Sequence, residues 1–259
     1  MQFTNADVMS WMAMYLWPLF RIAALVSVSP IFGAQNVPVR VRVGLSLAIT
    51  LVVAPALPPM PVVDPVSSTG LVIIVQQILI GLTMGFALRL VFSAFVLAGQ
   101  IIGQTMGLGF ASLVDPQNGV QVPVVSQFYL ILTTLIFLSL NGHLILIEVL
   151  HGSFTTLPVG EHGVTSNGLW GIVIWGGQVF SGAVLVSLPA MTALLVVNVA
   201  FGVMTRASPQ LNIFAIGFPV MILLGVLIMM MTLPVLIPQL THMMDEAFIV
   251  IQQQILAGK

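Results

Sequence analysis

Long neutral runs between widely spaced charges dominate the sequence. They are continuous and rich in Leu, Ile, Val, Met and Ala, whereas the strands of a membrane barrel would show short alternating segments. Only helices or closed barrels can span lipid. The pattern therefore predicts an all-α polytopic integral membrane protein. The main neutral runs are 22–39, 43–63, 65–88, 90–114, 116–147, 163–205 and 207–244.

Proline and glycine clusters divide these runs into helices and loops. We expect long kinked helices and helical hairpins that form one membrane domain over 1–259, with an irregular loop at about 106–122. The predicted helices cover about 8–33, 43–57, 71–105, 124–150, 169–203 and 212–240.

Two of the predicted helices are longer than a bilayer requires. At 1.5 Å per residue, the helix at 71–105 would be about 52 Å long, and the one at 169–203 equally long. The hydrocarbon core of a bilayer is only about 30 Å thick. Either these helices are broken, with Pro189 as a candidate break in the second, or they protrude and bury apolar faces against protein partners.

The scarcity of charge supports the membrane class. Six Lys or Arg and seven Asp or Glu make up 5 % of the 259 residues, where a soluble domain carries about 25 %. Apolar residues make up 59 %. This composition excludes an ordinary soluble enzyme and a disordered chain. A net charge of −1 without a basic stripe makes nucleic acid an unsuitable partner. The absence of cysteine excludes disulfides and cysteine metal sites.

The placement of the arginines predicts the topology. Arg40 and Arg42 lie in the first connection and Arg206 in the fifth, whereas the loop around Asp64 and the stretch 151–168 lack Lys and Arg. The positive-inside rule then places the N-terminus outside the cytoplasm. The stretch 90–114 leaves three alternatives open: it continues the third helix, re-enters the membrane, or forms a seventh span.

Small residues recur at helix-packing spacing. Gly81 and Gly85 form one pair, and Gly99, Gly103 and Gly107 form a longer ladder. Such a face lets another backbone approach closely. Two interpretations stay open, tight packing inside the chain and a surface for another subunit. Beside the ladder, Gln100 and Gln104 would either bond across helices or line a wet passage.

The segment from Gly107 to Gly119 interrupts two very apolar stretches. Its glycines permit unusual backbone angles, and Pro116 prevents the helix from continuing. Because it carries Phe110 and Leu113, it is suited to a position inside protein or along a cavity. An ordinary turn at the membrane surface is the other interpretation.

Residues with catalytic or metal-binding chemistry are scattered. Arg21 and Arg89 fall in apolar stretches, where charges are costly and usually pair or face a cavity. Glu148 and His151 share a helix face, as in di-iron bundles, but a second such motif is missing. We therefore expect no enzyme activity, no metal and no cofactor.

Three stretches together resemble the FliR family, the export-gate subunits of flagellar type III secretion. They are Ser29–Gly33 with the following Val37–Leu45, Gly107–Gly119 with its Asp115-Pro116 pair, and Pro209–Pro219, in which Leu-Asn-x-Phe lies between two prolines. The resemblance covers essentially the whole chain, and the third stretch is the most specific.

The resemblance implies a structural and gating subunit of the flagellar protein-export channel, in the basal body and the bacterial inner membrane. Its implied partners are the P-type and Q-type gate subunits (FliP and FliQ), the B-type switch protein (FlhB), membrane lipid and secreted flagellar proteins as cargo. The residues of its implied pore plug are Gly107, Gly109, Phe110, Leu113, Asp115, Pro116 and Gly119. The expected helix-packing or subunit-interface residues are Gly81, Gly85, Gly99, Gly103, Leu211, Asn212, Phe214 and Pro219.

Alternative functions remain at this point. The injectisome branch of type III secretion shares much of the pattern. A small-molecule or ion transporter would need a polar midplane site, and the chain has no acidic coupling residue in mid-span. A membrane enzyme would need a catalytic cluster, for which the His and acidic residues are too scattered.

Overall fold

A computed structural model describes residues 5–109, 124–207 and 213–256. Every regular element within these ranges is helical, which confirms the all-α class. One-turn elements lie at Ala54–Ala56 and Leu233–Val235, and a π-helical turn lies at Ile251–Ile255. The α-helices are α1 (Asn5–Val28), α2 (Val39–Val53), α3 (Ser68–Thr105), α4 (Val124–Ser139), α5 (Gly142–Thr156), α6 (Ser166–Gly176), α7 (Gln178–Ala207), α8 (Ile213–Thr232) and α9 (Leu236–Val250).

Several helical stretches are long and apolar enough to cross a membrane. In the part of the chain that the structure describes there are five, or up to six if the bent pair α4–α5 is one span. This finding confirms a multi-pass membrane protein. The five stretches are Met9–Val28, Val39–Ala56, Ser68–Thr105, Ser166–Ala207 and Gly217–Gln253.

Prolines shift the first two helices from their expected bounds of 8–33 and 43–57. α1 ends at Val28, since Pro30 disfavours helical backbone at the residue before it. α2 begins earlier than expected because Pro38, with φ −58°, serves as its N-cap residue. The Pro38 carbonyl accepts hydrogen bonds from the N–H groups of Val41 and Arg42 at 2.9 and 3.2 Å.

The third helix is continuous. α3 has 38 residues, so it is about 57 Å long at 1.5 Å per residue. It runs through Arg89, whose side chain is exposed. Of the three alternatives for 90–114, its part up to Thr105 therefore continues the third helix.

The expected helices at 124–150 and 169–203 are each two helices. α4 and α5 meet at an angle of 66°, because Asn141 between them adopts a left-handed backbone with φ 56°, which asparagine tolerates better than most residues. The second break lies at the Gly176–Gly177 pair and not at Pro189, which lies inside α7. Two adjacent glycines disfavour a helix interior because glycine loses much backbone freedom when it becomes helical. A single proline removes one backbone hydrogen bond, and α7 continues through Pro189.

The expected helix at 212–240 is also divided. α8 ends at Thr232 and a one-turn element containing Pro234 follows. α9 then continues to Val250, ten residues past the expected end. Its later turns are amphipathic, with Met243 and Ala247 buried and Asp245 exposed, so a search for uniformly apolar runs stops too early.

Two compact units form within the chain. One consists of Met1–Leu90, Leu140–Gly176 and Met244–Lys259, and the other of Val91–Ser139 and Gly177–Met243. α3 contributes residues to both units, and the chain enters each unit more than once. Neither unit is therefore a continuous sequence segment, and the single domain over 1–259 stays a prediction.

The first unit has a core of large side chains from α1, α3 and α5. Trp17, Met84 and Phe154 are fully buried there. Two indole N–H groups tie the helices to backbone: Trp17 donates to the Pro61 carbonyl at 3.1 Å and Trp175 to the Ala87 carbonyl at 3.3 Å. Buried tryptophan usually satisfies its N–H in this way.

The second unit packs the later turns of α3 against α4 and against α7 with α9. The Phe92 and Phe137 rings meet edge to face at 5.5 Å. In contrast, much of α7 and α8 is uncovered. Only 22 % of the most apolar window is buried in each of the stretches Ser166–Ala207 and Gly217–Gln253, against 50 % in α3. These apolar surfaces need lipid or partner protein to cover them.

Candidate functional site

The end of α3 is built as a sharp stop at the start of the predicted loop. Gly107 has φ 85°, a left-handed conformation that glycine adopts without steric cost. Its N–H donates to the Gln104 carbonyl at 3.0 Å, and the Leu108 N–H donates to the Gly103 carbonyl at 3.0 Å. These two bonds and the glycine form a Schellman motif. The helix therefore ends at a defined point, and the chain leaves it in a fixed direction.

The structure places only part of the predicted plug. Gly107 forms the helix stop, and Gly109 has room around it, since a Cβ added there would lie 3.8 Å from Gln104 Cγ. The other plug residues, Phe110, Leu113, Asp115, Pro116 and Gly119, lie outside the described residues. Their role stays a prediction.

Three of the predicted packing glycines lie at crossings within the chain. A Cβ on Gly81 would lie 2.8 Å from Ala24 Cβ, and one on Gly85 would lie 3.0 Å from the Leu25 carbonyl oxygen, both on α1. A Cβ on Gly99 would lie 2.7 Å from Ser126 Cα on α4. These three glycines therefore allow close packing between helices of the same chain. Their role in contact with another subunit stays a prediction.

The remaining members of that predicted set differ in position. Gly103 is buried, and its carbonyl takes part in the helix stop. Pro219 lies inside α8 and is exposed. Leu211 and Asn212 lie outside the described residues, as does the side chain of Phe214.

Two amide side chains interrupt the apolar surface of α3. Gln100 and Gln104 are exposed and lie one turn apart. On the opposite side of this helix region, Ala98 and Ile102 are fully buried. Exposed amides at membrane depth need polar partners, so this face is better suited to a wet passage or to a partner subunit than to lipid.

A buried arginine in the first unit is the most polar feature of its interior. Arg21 is 0 % exposed. Its Nε donates to Gln77 Oε1 at 2.8 Å, its Nη1 to the Ser153 carbonyl and hydroxyl at 2.9 Å, and its Nη2 to the Leu157 carbonyl at 2.9 Å. Its guanidinium carbon also lies 4.2 Å from the centroid of the Phe154 ring.

The acceptors of Arg21 are neutral oxygens, and two of them are carbonyls at the end of α5. A helix C-terminus carries unsatisfied carbonyls and about half a negative charge. Leu157 is the C-cap residue of α5. Arg21 therefore caps α5 from α1 and joins α1, α3 and α5 through one side chain. The sequence marks Arg21 as unusual, but the acceptors lie 56, 132 and 136 residues away.

The candidate metal-binding residues do not converge. Among the described residues there is no group of three or more His, Cys, Asp or Glu side chains that could hold a metal ion. Glu148 is exposed on α5 and His151 is half-buried. The structure brings no further carboxylate to this pair within the same ranges.

Comparison with known proteins identifies the class of membrane protein that these features define. The model of the family described as Bacterial export proteins, family 1, matches residues 12–247. The match covers the helix stop at Gly107, the glycine crossings and Arg21. The chain belongs to this family of bacterial export proteins, which is defined by export and not by a catalysed reaction.

Three relatives of the chain share one name. The chain is 41 % identical to the flagellar biosynthetic protein FliR of Escherichia coli over 96 % of this chain and 95 % of that protein. It is 39 % identical to FliR of Pectobacterium carotovorum over 95 % of this chain and 94 % of the relative. FliR of Bacillus subtilis is 26 % identical over 86 % of both chains. The resemblance seen in the sequence is thereby confirmed.

Proposed function

We propose that the chain is a structural and gating subunit of the flagellar type III protein-export channel in the bacterial inner membrane. The observation that carries the proposal is the family match over residues 12–247 together with FliR relatives that align along nearly the full chain. The multi-pass helical fold supports a place in the membrane at the flagellar basal body.

The uncovered apolar helices support a role as one subunit of an assembly. α7 and α8 leave Leu188, Val199 and Leu223 exposed. α3, at about 57 Å, is longer than the roughly 30 Å hydrocarbon core, so some apolar surface needs protein to cover it. We propose FliP, FliQ and FlhB as the covering partners and secreted flagellar proteins as the cargo.

The helix stop at Gly107 supports the assignment of 106–122 as a pore plug. A closed export pore has to exclude ions and water, which an apolar constriction does. Gly107 ends a long helix at a defined point, directly before the apolar residues assigned to the plug. Exposed Gln100 and Gln104 next to this point are suited to a passage that is wet when open.

Loss of the gene tests the proposed function in the cell. A chromosomal in-frame deletion is expected to abolish the appearance of flagellar filament protein in the culture medium while its cytoplasmic synthesis continues. Quantitative immunoblots of medium and cell fractions, with plasmid complementation as control, measure this. Normal export of flagellar proteins would contradict the proposal, and loss of injected effector proteins alone would assign the chain to an injectisome.

A further inference from the structure

An apolar groove of about 250 Å³ lies between α1 and α2, within the first compact unit. The Thr50 hydroxyl donates to the Ser46 carbonyl at 2.7 Å, so it leaves no free donor in the groove. Leu47 and Leu51 are exposed in it. Its walls include Tyr15, Leu16 and Leu19 of α1 and Leu47, Thr50 and Leu51 of α2.

The groove is too short for a partner helix. Its lining runs from Met12 to Leu19 along α1, which is about 10 Å at 1.5 Å per residue. A transmembrane helix is itself about 10 Å across and would need contacts along a span of roughly 30 Å. A slender hydrocarbon chain is therefore the better occupant.

The depth of the groove matches one leaflet of a bilayer. α2 begins the candidate membrane span Val39–Ala56, which places Arg40 at the end of that span. Leu47 and Leu51 lie about 10 Å and about 16 Å further along α2. Since half of the hydrocarbon core is about 15 Å thick, the groove lies where the acyl chain of a phospholipid reaches.

An open path joins Arg40 to this groove. Arg40, Gly44, Leu47 and Leu51 have the spacing of one stripe along a helix. A Cβ added at Gly44 would meet no atom within 4 Å. An acyl chain can therefore pass over Gly44 from the membrane surface into the groove.

Arg40 carries a charge that nothing in the described part of the chain neutralises. Its side chain is exposed and makes no hydrogen bond or ion pair there, whereas Arg42 donates to the Val37 and Ala34 carbonyls at 3.0 and 2.7 Å. The first turn of α2 holds no acidic residue, and a helix N-terminus adds about half a positive charge. This end of the groove therefore complements a phosphate.

We propose that the groove between α1 and α2 binds one phospholipid with an anionic headgroup. The phosphate lies at Arg40, and one acyl chain runs over Gly44 to Leu51. Basic groups beside membrane helices recognise anionic headgroups in this way. The bound lipid covers exposed apolar surface and fixes the depth of α1 and α2 in the membrane, a role independent of the plug and of the export channel.

Two substitutions separate the headgroup from the acyl chain. Arg40→Ala removes the charge, and Gly44→Leu fills the path. Both are expected to melt like the parent in detergent without added lipid, because Arg40 is exposed, Gly44 has open space and leucine favours a helix more than glycine does. Gly202 and Arg206 on α7 supply matched controls, since they have the same four-residue spacing, Arg206 is exposed and a Cβ on Gly202 also meets no atom within 4 Å.

Native mass spectrometry of the full chain, purified with its gate partners, measures lipid binding. The sample is titrated with phosphatidylglycerol or with phosphatidylcholine of the same acyl chains, and the parent is expected to prefer the anionic lipid. Arg40→Ala is expected to lower the affinity for phosphatidylglycerol about fivefold, to the level of phosphatidylcholine. Gly44→Leu is expected to weaken both lipids, whereas Arg206→Ala and Gly202→Leu bind like the parent.

Three results would overturn the inference. The first is an Arg40→Ala variant that keeps the preference for phosphatidylglycerol, or a Gly44→Leu variant that binds both lipids as well as Gly202→Leu does. The second is equally tight binding of glycerol phosphate, which has no acyl chain and would make Arg40 a site for a soluble phosphate. The third is lipid binding by the chain alone but not by the complex, because a partner subunit then covers the groove.

Discussion

Deleting residues 109–117 is expected to leave the export complex assembled and to make the membrane permeable to small ions. The reason is that the deletion removes apolar Phe110 and Leu113 while retaining the helix stop at Gly107. A lumen without its apolar filling admits water, and ions follow. The crossings at Gly81, Gly85 and Gly99 are untouched, so helix packing is expected to persist.

Single-channel conductance in planar bilayers measures this effect, with co-purified partner yield as the assembly control. A matched control replaces 109–117 with a segment of the same length that keeps the apolar positions, which is expected to restore the seal. A deletion variant that assembles normally and conducts no more than the parent would show that 109–117 does not plug the pore.

Replacing Arg21 with alanine is expected to prevent the folded protein from accumulating. The side chain donates to Gln77, Ser153 and Leu157 in a fully buried setting. Its removal leaves those acceptors without their donor and opens a cavity beside Phe154. Each buried acceptor that is left unsatisfied typically costs about 1–3 kcal/mol, so the loss of several is a large fraction of a protein's stability.

Membrane abundance and thermal melting in detergent measure this loss. Arg21→Met fills much of the same volume without donors, so it separates the cavity from the hydrogen bonds and is expected to stay clearly destabilised. Arg40→Ala, which removes an exposed arginine on α2, is expected to behave like the parent. Equal melting temperatures for Arg21→Ala and Arg40→Ala would show that the network contributes little.

The helical content was predictable because lipid permits few backbone arrangements. Once the neutral runs exclude a soluble chain, helices are the remaining structure, and Thr105 as the end of α3 follows from the glycines after it. The breaks were harder to predict. From the sequence, Pro189 is expected to interrupt a helix more strongly than glycine, yet the helix divides at Gly176–Gly177. The outcome depends on whether neighbouring residues in space satisfy the backbone groups that lose their helical hydrogen bonds.

The candidate site was predictable only where it is local. Gly107 carries its own signal, a glycine after a long apolar helix, and its left-handed backbone agrees with it. The groove between α1 and α2 and the capping of α5 by Arg21 join residues far apart in the chain. Contacts between residues so far apart leave no repeating pattern in a single sequence, so only the three-dimensional structure shows them.

The mass of the complex that the chain forms shows whether it is one subunit of a hetero-oligomeric export gate. The protein should be purified from the membrane twice, alone and after co-expression with its gate partners, and both samples weighed intact. We expect the chain to be poorly behaved alone and to join a large hetero-oligomer with FliP-type and FliQ-type subunits, which covers the apolar faces of α7 and α8. A stable monomer or small homo-oligomer of unchanged mass in the presence of those partners would contradict it.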